Sequence, residues 1–224
     1  MERWDAQGNV YLVSEPFAAT PERVRALVGD ADGVLEVSAD GDVVIWNPDG
    51  SVAEMSGNGT RIAAAWLAAR TGAEEVVVRS AGHEVRVRAL GGDEWAQELG
   101  PVRVEAPEEV DGVRFVPMDV GNPHAVVVGD PDELPRIGPL LERHPRFPGG
   151  TNVQVARVEA PGRVRARVWE RGAGETASSG SSAVAVVAAL IGDGDATVAF
   201  PGGELVVRIA GGVATLVGPA RRLD

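Results

Sequence analysis

The chain has 224 residues, 44% of them hydrophobic, with a formal net charge of −12 and no cysteine. That length buries one large core or two modest ones. The acidity argues against binding a nucleic-acid backbone, which needs clustered Lys and Arg, and the missing cysteines remove disulfides, thiolate metal sites and thiol nucleophiles together.

The start, Met1-Glu2-Arg3-Trp4-Asp5, has no apolar signal region, and no apolar run reaches a membrane span, so a soluble, cytoplasmic protein is expected. Val10–Val13 reads as a strand leaving a Gly8-Asn9 turn. Thr20-Pro21-Glu22 is a helix start, with Thr at the cap and Pro in the first turn, and Val24, Leu27 and Val28 share one face of that helix. Val34–Val37 and Val43–Trp46 form a hairpin across Ala39-Asp40-Gly41-Asp42. Asn47-Pro48-Asp49-Gly50 is a turn. Arg61–Ala69 is rich in Ala and Leu with no polar stripe, which predicts a buried helix. Strands follow at Glu75–Arg79 and Glu84–Arg88.

The second half repeats this plan. Met118–Val128 is strand, turn, strand around Gly121-Asn122-Pro123-His124. Pro135–Arg143 is a helix, Val153–Ala156 and Val164–Trp169 are strands, Ala183–Ile191 is a second buried helix, and Val198–Phe200 pairs with Glu204–Ile209. Ala89–Glu108, with its Gly91-Gly92, reads as a linker between halves, and Val213–Val217 as a strand returning to the first half.

The halves also match directly. Ser56-Gly57-Asn58-Gly59 and Ser179-Gly180-Ser181-Ser182 lie 123 positions apart, and in that register Ile45-Trp46 falls on Val168-Trp169. A fixed-offset match in two copies indicates duplicated halves. The expected fold is α+β: two pseudo-symmetric domains, each a curved, mostly antiparallel sheet or barrel wrapped around a central helix. The expected boundaries are 1–112, with 213–224 as a candidate returning segment, and 113–212. Short strands around one buried helix speak against parallel βαβ units.

A Gly-rich turn that opens a helix exposes unpartnered N–H groups at the positive end of the helix dipole. Two such turns make candidate sites for a carboxylate or phosphate. Asn47, Asn58, Asn122 and Asn152 lie in or beside turns, and Arg171 is suited to a bidentate carboxylate. Each feature also has a purely structural reading: Gly-Asn-Gly as a turn, Ser56 and Ser179 as helix caps, His124 as a loop histidine, Glu170-Arg171 as a surface ion pair. The paired hydroxyls in register favour the functional reading.

Several stretches together resemble the diaminopimelate epimerase family, within the wider group of cofactor-independent racemases that includes proline racemase. They are Gly8-Asn9, Ala31-Asp32-Gly33, Asn47 through Ser56-Gly57-Asn58-Gly59, Gly121-Asn122-Pro123-His124, His144 through Asn152-Val153, Glu170-Arg171-Gly172 through Ser179-Gly180, Gly202-Gly203-Glu204-Leu205 and Gly218-Pro219-Ala220. The resemblance implies two pseudo-symmetric domains with the site in the cleft between their central helices, a homodimer, an amino-acid substrate, and neither pyridoxal cofactor nor metal. It implies that Asn9, Asn47, Asn122 and Asn152 bind substrate. Glu170, Arg171 and the turns Gly57-Asn58 and Gly180-Ser181 are implied to hold its carboxylate, and His124 and Glu170 to tune the acid/base groups.

The departures fall on the chemistry. Ser56 and Ser179 occupy the positions of the family's two catalytic cysteines, Val10 replaces an Asp, and Ser181-Ser182 replaces Thr-Gly. A hydroxyl is a far weaker acid than a thiol and needs a neighbouring base. The expected function is therefore an amino-acid epimerase, interconverting LL- and meso-diaminopimelate in lysine biosynthesis, with weak activity. A one-base isomerase or dehydratase and a catalytically silent binder of an amino-acid-like dicarboxylate are the alternatives.

Overall fold

The computed structural model describes residues 1–53 and 56–223; Glu54 and Met55, inside the first Ser-Gly signature, lie outside the described residues. The chain divides into two compact units, Met1–Glu98 with Val217–Asp224, and Leu99–Leu216.

In the first unit the strands are β1 (Glu2–Ala6), β2 (Asn9–Ser14), β3 (Gly33–Val37), β4 (Val43–Trp46), β5 (Glu75–Ser80), β6 (His83–Gly91) and β7 (Glu94–Pro101), which runs on into the second unit. Helix α1 (Pro21–Leu27) follows β2, and α2 (Gly57–Thr71) follows β4. Thr20 caps α1 by accepting the Arg23 N–H at 3.3 Å, with Pro21 at the first helical position. Helix α2 stops at Gly72, whose left-handed φ of 73° suits a residue without a Cβ.

Asn58 through Ala68 of α2 are all buried, as the missing polar stripe predicts. Its alanines let the sheet approach closely while Ile62, Trp66 and Leu67 fill the space against Val13, Leu35, Ile45, Val78 and Val87. Each large apolar side chain buried this way contributes about 1.5–3 kcal/mol. A smaller cluster of Val24, Val28, Ala31 and Val34 sits under α1.

In the second unit the strands are β8 (Arg103–Val104), β9 (Glu108–Val110), β10 (Val113–Asp119), β11 (Pro123–Val128), β12 (Asn152–Ala160), β13 (Arg163–Glu170), β14 (Gly174–Thr176), β15 (Gly194–Phe200), β16 (Gly203–Ala210) and β17 (Val213–Pro219). Helix α3 (Leu134–Glu142) lies between β11 and β12, and α4 (Gly180–Leu190) between β14 and β15. Helix α4 is rich in β-branched valine, a poor helix former in isolation. Complete burial of Val184, Val186 and Val187 overrides that preference. Past β17 the chain returns to the first unit, where β18 (Arg221–Leu223) pairs with β1.

Each unit wraps a mostly antiparallel, curved sheet around its central helix, as expected. The sheets are open rather than closed barrels: the first-unit order runs β18-β1-β2-β3-β4 without closing on itself. The expected absence of parallel βαβ units is corrected. Strand β2 pairs parallel with β3 across α1, β11 with β12 across α3, and β13 with β15 across α4. A parallel pair needs a long crossover, and these helices supply it. The stretch 89–108 does cross between the units, but as strands rather than as a loose linker. Gly91 and Gly92 adopt φ of 102° and 59° in the β6–β7 hairpin, and Trp95, Ala96 and Gln97 beyond them are buried. Residues 99–112 lie with the second unit.

Candidate active site

The first unit builds a candidate site at the start of α2. Ser56 has extended backbone, and its Oγ accepts the Gly59 N–H at 3.0 Å while its carbonyl accepts the Thr60 N–H at 2.8 Å. Gly59 is needed for this approach: a Cβ there would stand 3.1 Å from Ser56 Oγ. The Tyr11 hydroxyl lies 3.2 Å from Ser56 Oγ.

Asn58 is buried and links α2 to β2. Its Nδ2 donates to Asn9 Oδ1 at 3.5 Å, and its Oδ1 accepts Arg61 Nη2 at 2.8 Å. Arg61 is fully buried, and its Nε donates to the Pro219 carbonyl at 3.0 Å. Burial pulls its pKa down to about 10, partly offset by Glu94 and Asp5, so it stays charged near neutrality. Asn47 is drawn into its own turn, donating from Nδ2 to Ser51 Oγ at 2.9 Å.

The second unit builds a corresponding candidate site at the start of α4. Gly57 and Gly180 are both the first helical residues, preceded by serines at the cap position. The serines then differ. Ser179 makes no side-chain cap bond; its hydroxyl instead favours the charged form of the Glu170 carboxylate. Thr176 Oγ1 donates to Glu170 Oε2 at 2.7 Å. Desolvation raises the Glu170 pKa above its ordinary 4.5, against the lowering effect of the Thr176 and Ser179 bonds.

His124 is buried on β11 and held at both nitrogens. Nε2 is 2.8 Å from Asn122 Oδ1 and Nδ1 is 2.9 Å from Gln154 Nε2. An amide nitrogen donates, so Nδ1 accepts and Nε2–H donates to Asn122, which describes a neutral ring. Burial drives its pKa down to about 3, with the Arg171 charge adding to the shift. His124 thus orients Asn122 rather than standing as a base on either serine. Gln154 also donates to the buried Ser182 Oγ at 3.0 Å.

Asn152 is structural on both sides of its amide: Nδ2 donates to the Pro123 carbonyl and Oδ1 accepts the Arg171 N–H, both at 3.0 Å. The adjoining Gly172 N–H is held by Glu142 Oε1 at 2.8 Å. Arg171 is therefore anchored through its backbone, with its Nη1 donating to Gly149 O at 3.3 Å.

The structure thus brings Asn9, Ser56, Gly57 and Asn58 together in one unit. In the other it brings together Asn122, His124, Asn152, Glu170, Arg171, Ser179, Gly180 and Ser181. Asn47 bonds within its turn. Sequence reasoning assigned no role to Tyr11, Arg61, Gln154 or Thr176. Tyr11 had one available signal: it shares the inward face of β2 with Val13, where a polar tip needs a partner.

A sequence model of the diaminopimelate epimerase family matches residues 116–223. Diaminopimelate epimerase of Xylella fastidiosa (strain M12) is 41% identical over 206 residues, covering 79% of this chain and 72% of that protein. The enzyme of the same name from Xanthomonas euvesicatoria pv. vesicatoria (strain 85-10) is 36% identical over 256 residues, covering 95% of this chain and 90% of that one. A solved structure described as a predicted epimerase from Pseudomonas aeruginosa superposes with a TM-score of 0.76 at 18% identity, covering 100% of this chain and 96% of the other, a likeness of fold.

Proposed function

Because the chain belongs to the diaminopimelate epimerase family, we propose that this isomerase is a cofactor-independent epimerase interconverting LL- and meso-diaminopimelate, in the supply of lysine. One half-site takes the α-proton from one face of the carbon, and the other returns a proton to the opposite face.

The observation that carries this reading is the buried Glu170 carboxylate, fixed by Thr176 and interacting with Ser179, which offers the second serine the base that a hydroxyl lacks. Ser179 Oγ takes the α-proton as its own proton passes to the Glu170 carboxylate, and the C–H electron pair stays on the α-carbon, delocalised into the substrate carboxylate. A carboxylate with a raised pKa is better matched to this task than an ordinary one. The first-turn N–H groups at Gly57-Asn58 and Gly180-Ser181, with the Arg171 charge, suit the substrate carboxylate and the negative charge that develops on it. Asn9 and Asn122 suit its further polar groups, and the neutral His124 ring fixes the Asn122 amide.

A one-face isomerisation or dehydration is the second reading, favoured by one asymmetry: Ser179 contacts a carboxylate, whereas Ser56 contacts a phenol.

The test is incubation of purified protein with LL- and meso-diaminopimelate and a panel of L- and D-amino acids, with stereoisomers resolved by chiral chromatography. Interconversion of the diaminopimelate isomers supports the reading. Saturable binding without any chemistry would reject it.

A further inference from the structure

Tyr11 is the only tyrosine in the chain. Its ring is buried on the inner face of β2 and packs over Gly33 of β3. A Cβ at Gly33 would come within 2.7 Å of Tyr11 Cε1 and 2.4 Å of the Trp46 carbonyl oxygen, so the missing side chain makes room for the ring. This placement brings the phenolic oxygen to 3.2 Å from Ser56 Oγ.

Ser56 Oγ already accepts the Gly59 N–H. A hydroxyl has one donor and two acceptor positions. After Gly59 and Tyr11, one position is left for a third partner.

We propose that Tyr11 is the proton reservoir of the Ser56 half-site, a positioning residue that makes a serine competent where a thiol would otherwise be needed. This rests on the epimerase reading above. When a proton is delivered, Ser56 gives its hydroxyl proton to the α-carbon, whose electron pair forms the new C–H bond. The Tyr11 O–H proton moves to the serine oxygen and leaves a phenolate. In the reverse direction Ser56 Oγ takes the α-proton, the C–H pair stays on the α-carbon, and the serine's own proton passes to the phenolate.

An aliphatic hydroxyl is too weak an acid to ionise near neutrality by itself, whereas phenols titrate near 10. Negative charge at this point is also favoured by the N-terminus of α2. Packing alone would be met by a phenylalanine. The hydroxyl is what carries the proton.

Because the chain has one tyrosine, replacing every tyrosine with 3-fluorotyrosine alters this position alone, and Tyr11→Phe removes the hydroxyl while keeping the ring. The measurement is the pH profile of kcat and KM for α-proton exchange in all three proteins. The expected result for Tyr11→Phe is a loss of about 10²-fold in kcat with KM little changed. The more acidic fluorophenol should move the alkaline limb of the profile to lower pH.

Normal kcat in Tyr11→Phe, with an unmoved limb in the fluorinated protein, overturns the reservoir and leaves the epimerase reading standing. No α-proton exchange in the unmodified protein overturns both.

Discussion

Thr176 Oγ1 donates a hydrogen bond of 2.7 Å to Glu170 Oε2, the carboxylate whose charged form the Ser179 hydroxyl also favours. The pair holds Glu170 in place while burial keeps its pKa above 4.5. As the proposed base, Glu170 would act only when ionised, so the rate should fall as pH drops through the raised pKa. The acid limb of kcat/KM is expected above the ordinary carboxylate range. Glu170→Gln should lower kcat by about 10²–10⁴-fold and abolish that limb. Thr176→Val, which removes one hydrogen bond that favours the charged form, should move the limb to higher pH. An unmoved limb in both variants would show that another group is the base.

His124 makes a prediction about stability. Its folded pKa is depressed to about 3 from an ordinary 6.5 by burial. The unfolded chain therefore takes up a proton below pH 6.5 that the folded ring refuses. Stability from this residue is complete above pH 6.5 and is lost as pH falls from there toward 3. At pH 5 the loss should be about 2 kcal/mol. Chemical denaturation of the native protein and His124→Gln at pH 7.5 and 5 checks this: the native protein should lose more stability between the two values than the variant.

The Asn152–Arg171 contact separates holding from binding. Asn152→Ala deletes both of its hydrogen bonds and should lower stability by about 1–3 kcal/mol. Arg171→Ala should leave the fold intact and weaken substrate binding by about 1.5–3 kcal/mol, read as a rise in the dissociation constant of meso-diaminopimelate by calorimetry. Unchanged affinity in Arg171→Ala would remove it from the substrate site.

Restoring thiols tests the replacement of cysteine. Ser56→Cys with Ser179→Cys should raise turnover by about 10²-fold near pH 8, because thiolates form near that pH and serine alkoxides do not. Neither single variant should recover full two-face activity. Turnover in the unmodified chain matching the double variant would mean that the contacts of Tyr11 and Glu170 fully compensate for the weak hydroxyls.

The starts of α2 at Gly57 and α4 at Gly180 were legible because each Ser-Gly turn is local chemistry, and the second copy repeats it in register. The buried character of both helices was legible from their missing polar stripes. The parallel partners of β2, β11 and β13 were not, since strand pairing across a crossover is decided by packing between distant segments. Gly91-Gly92 looked like the centre of a linker because glycine pairs break structure. The burial of Trp95 and Gln97 that makes it a hairpin is a tertiary fact. Within the site, Asn58 and Asn152 have the same residue type and the same turn context. Their partners, Arg61 in one case and the Pro123 carbonyl and Arg171 N–H in the other, appear only in the fold. Tyr11 and Ser56 meet across 45 positions of sequence, which no local pattern reveals.

The most direct test of two-face proton transfer is the position of solvent deuterium in the first turnovers. Purified protein is given unlabelled LL-diaminopimelate in D₂O, and both isomers are analysed by mass spectrometry before ten per cent conversion. The expected result is meso product carrying one deuterium at the inverted α-carbon, with the remaining LL pool still largely unlabelled, because one group removes the proton and a different, solvent-equilibrated group supplies its replacement. Deuterium appearing in the LL pool with no meso product would contradict it and would point to a single base acting on one face.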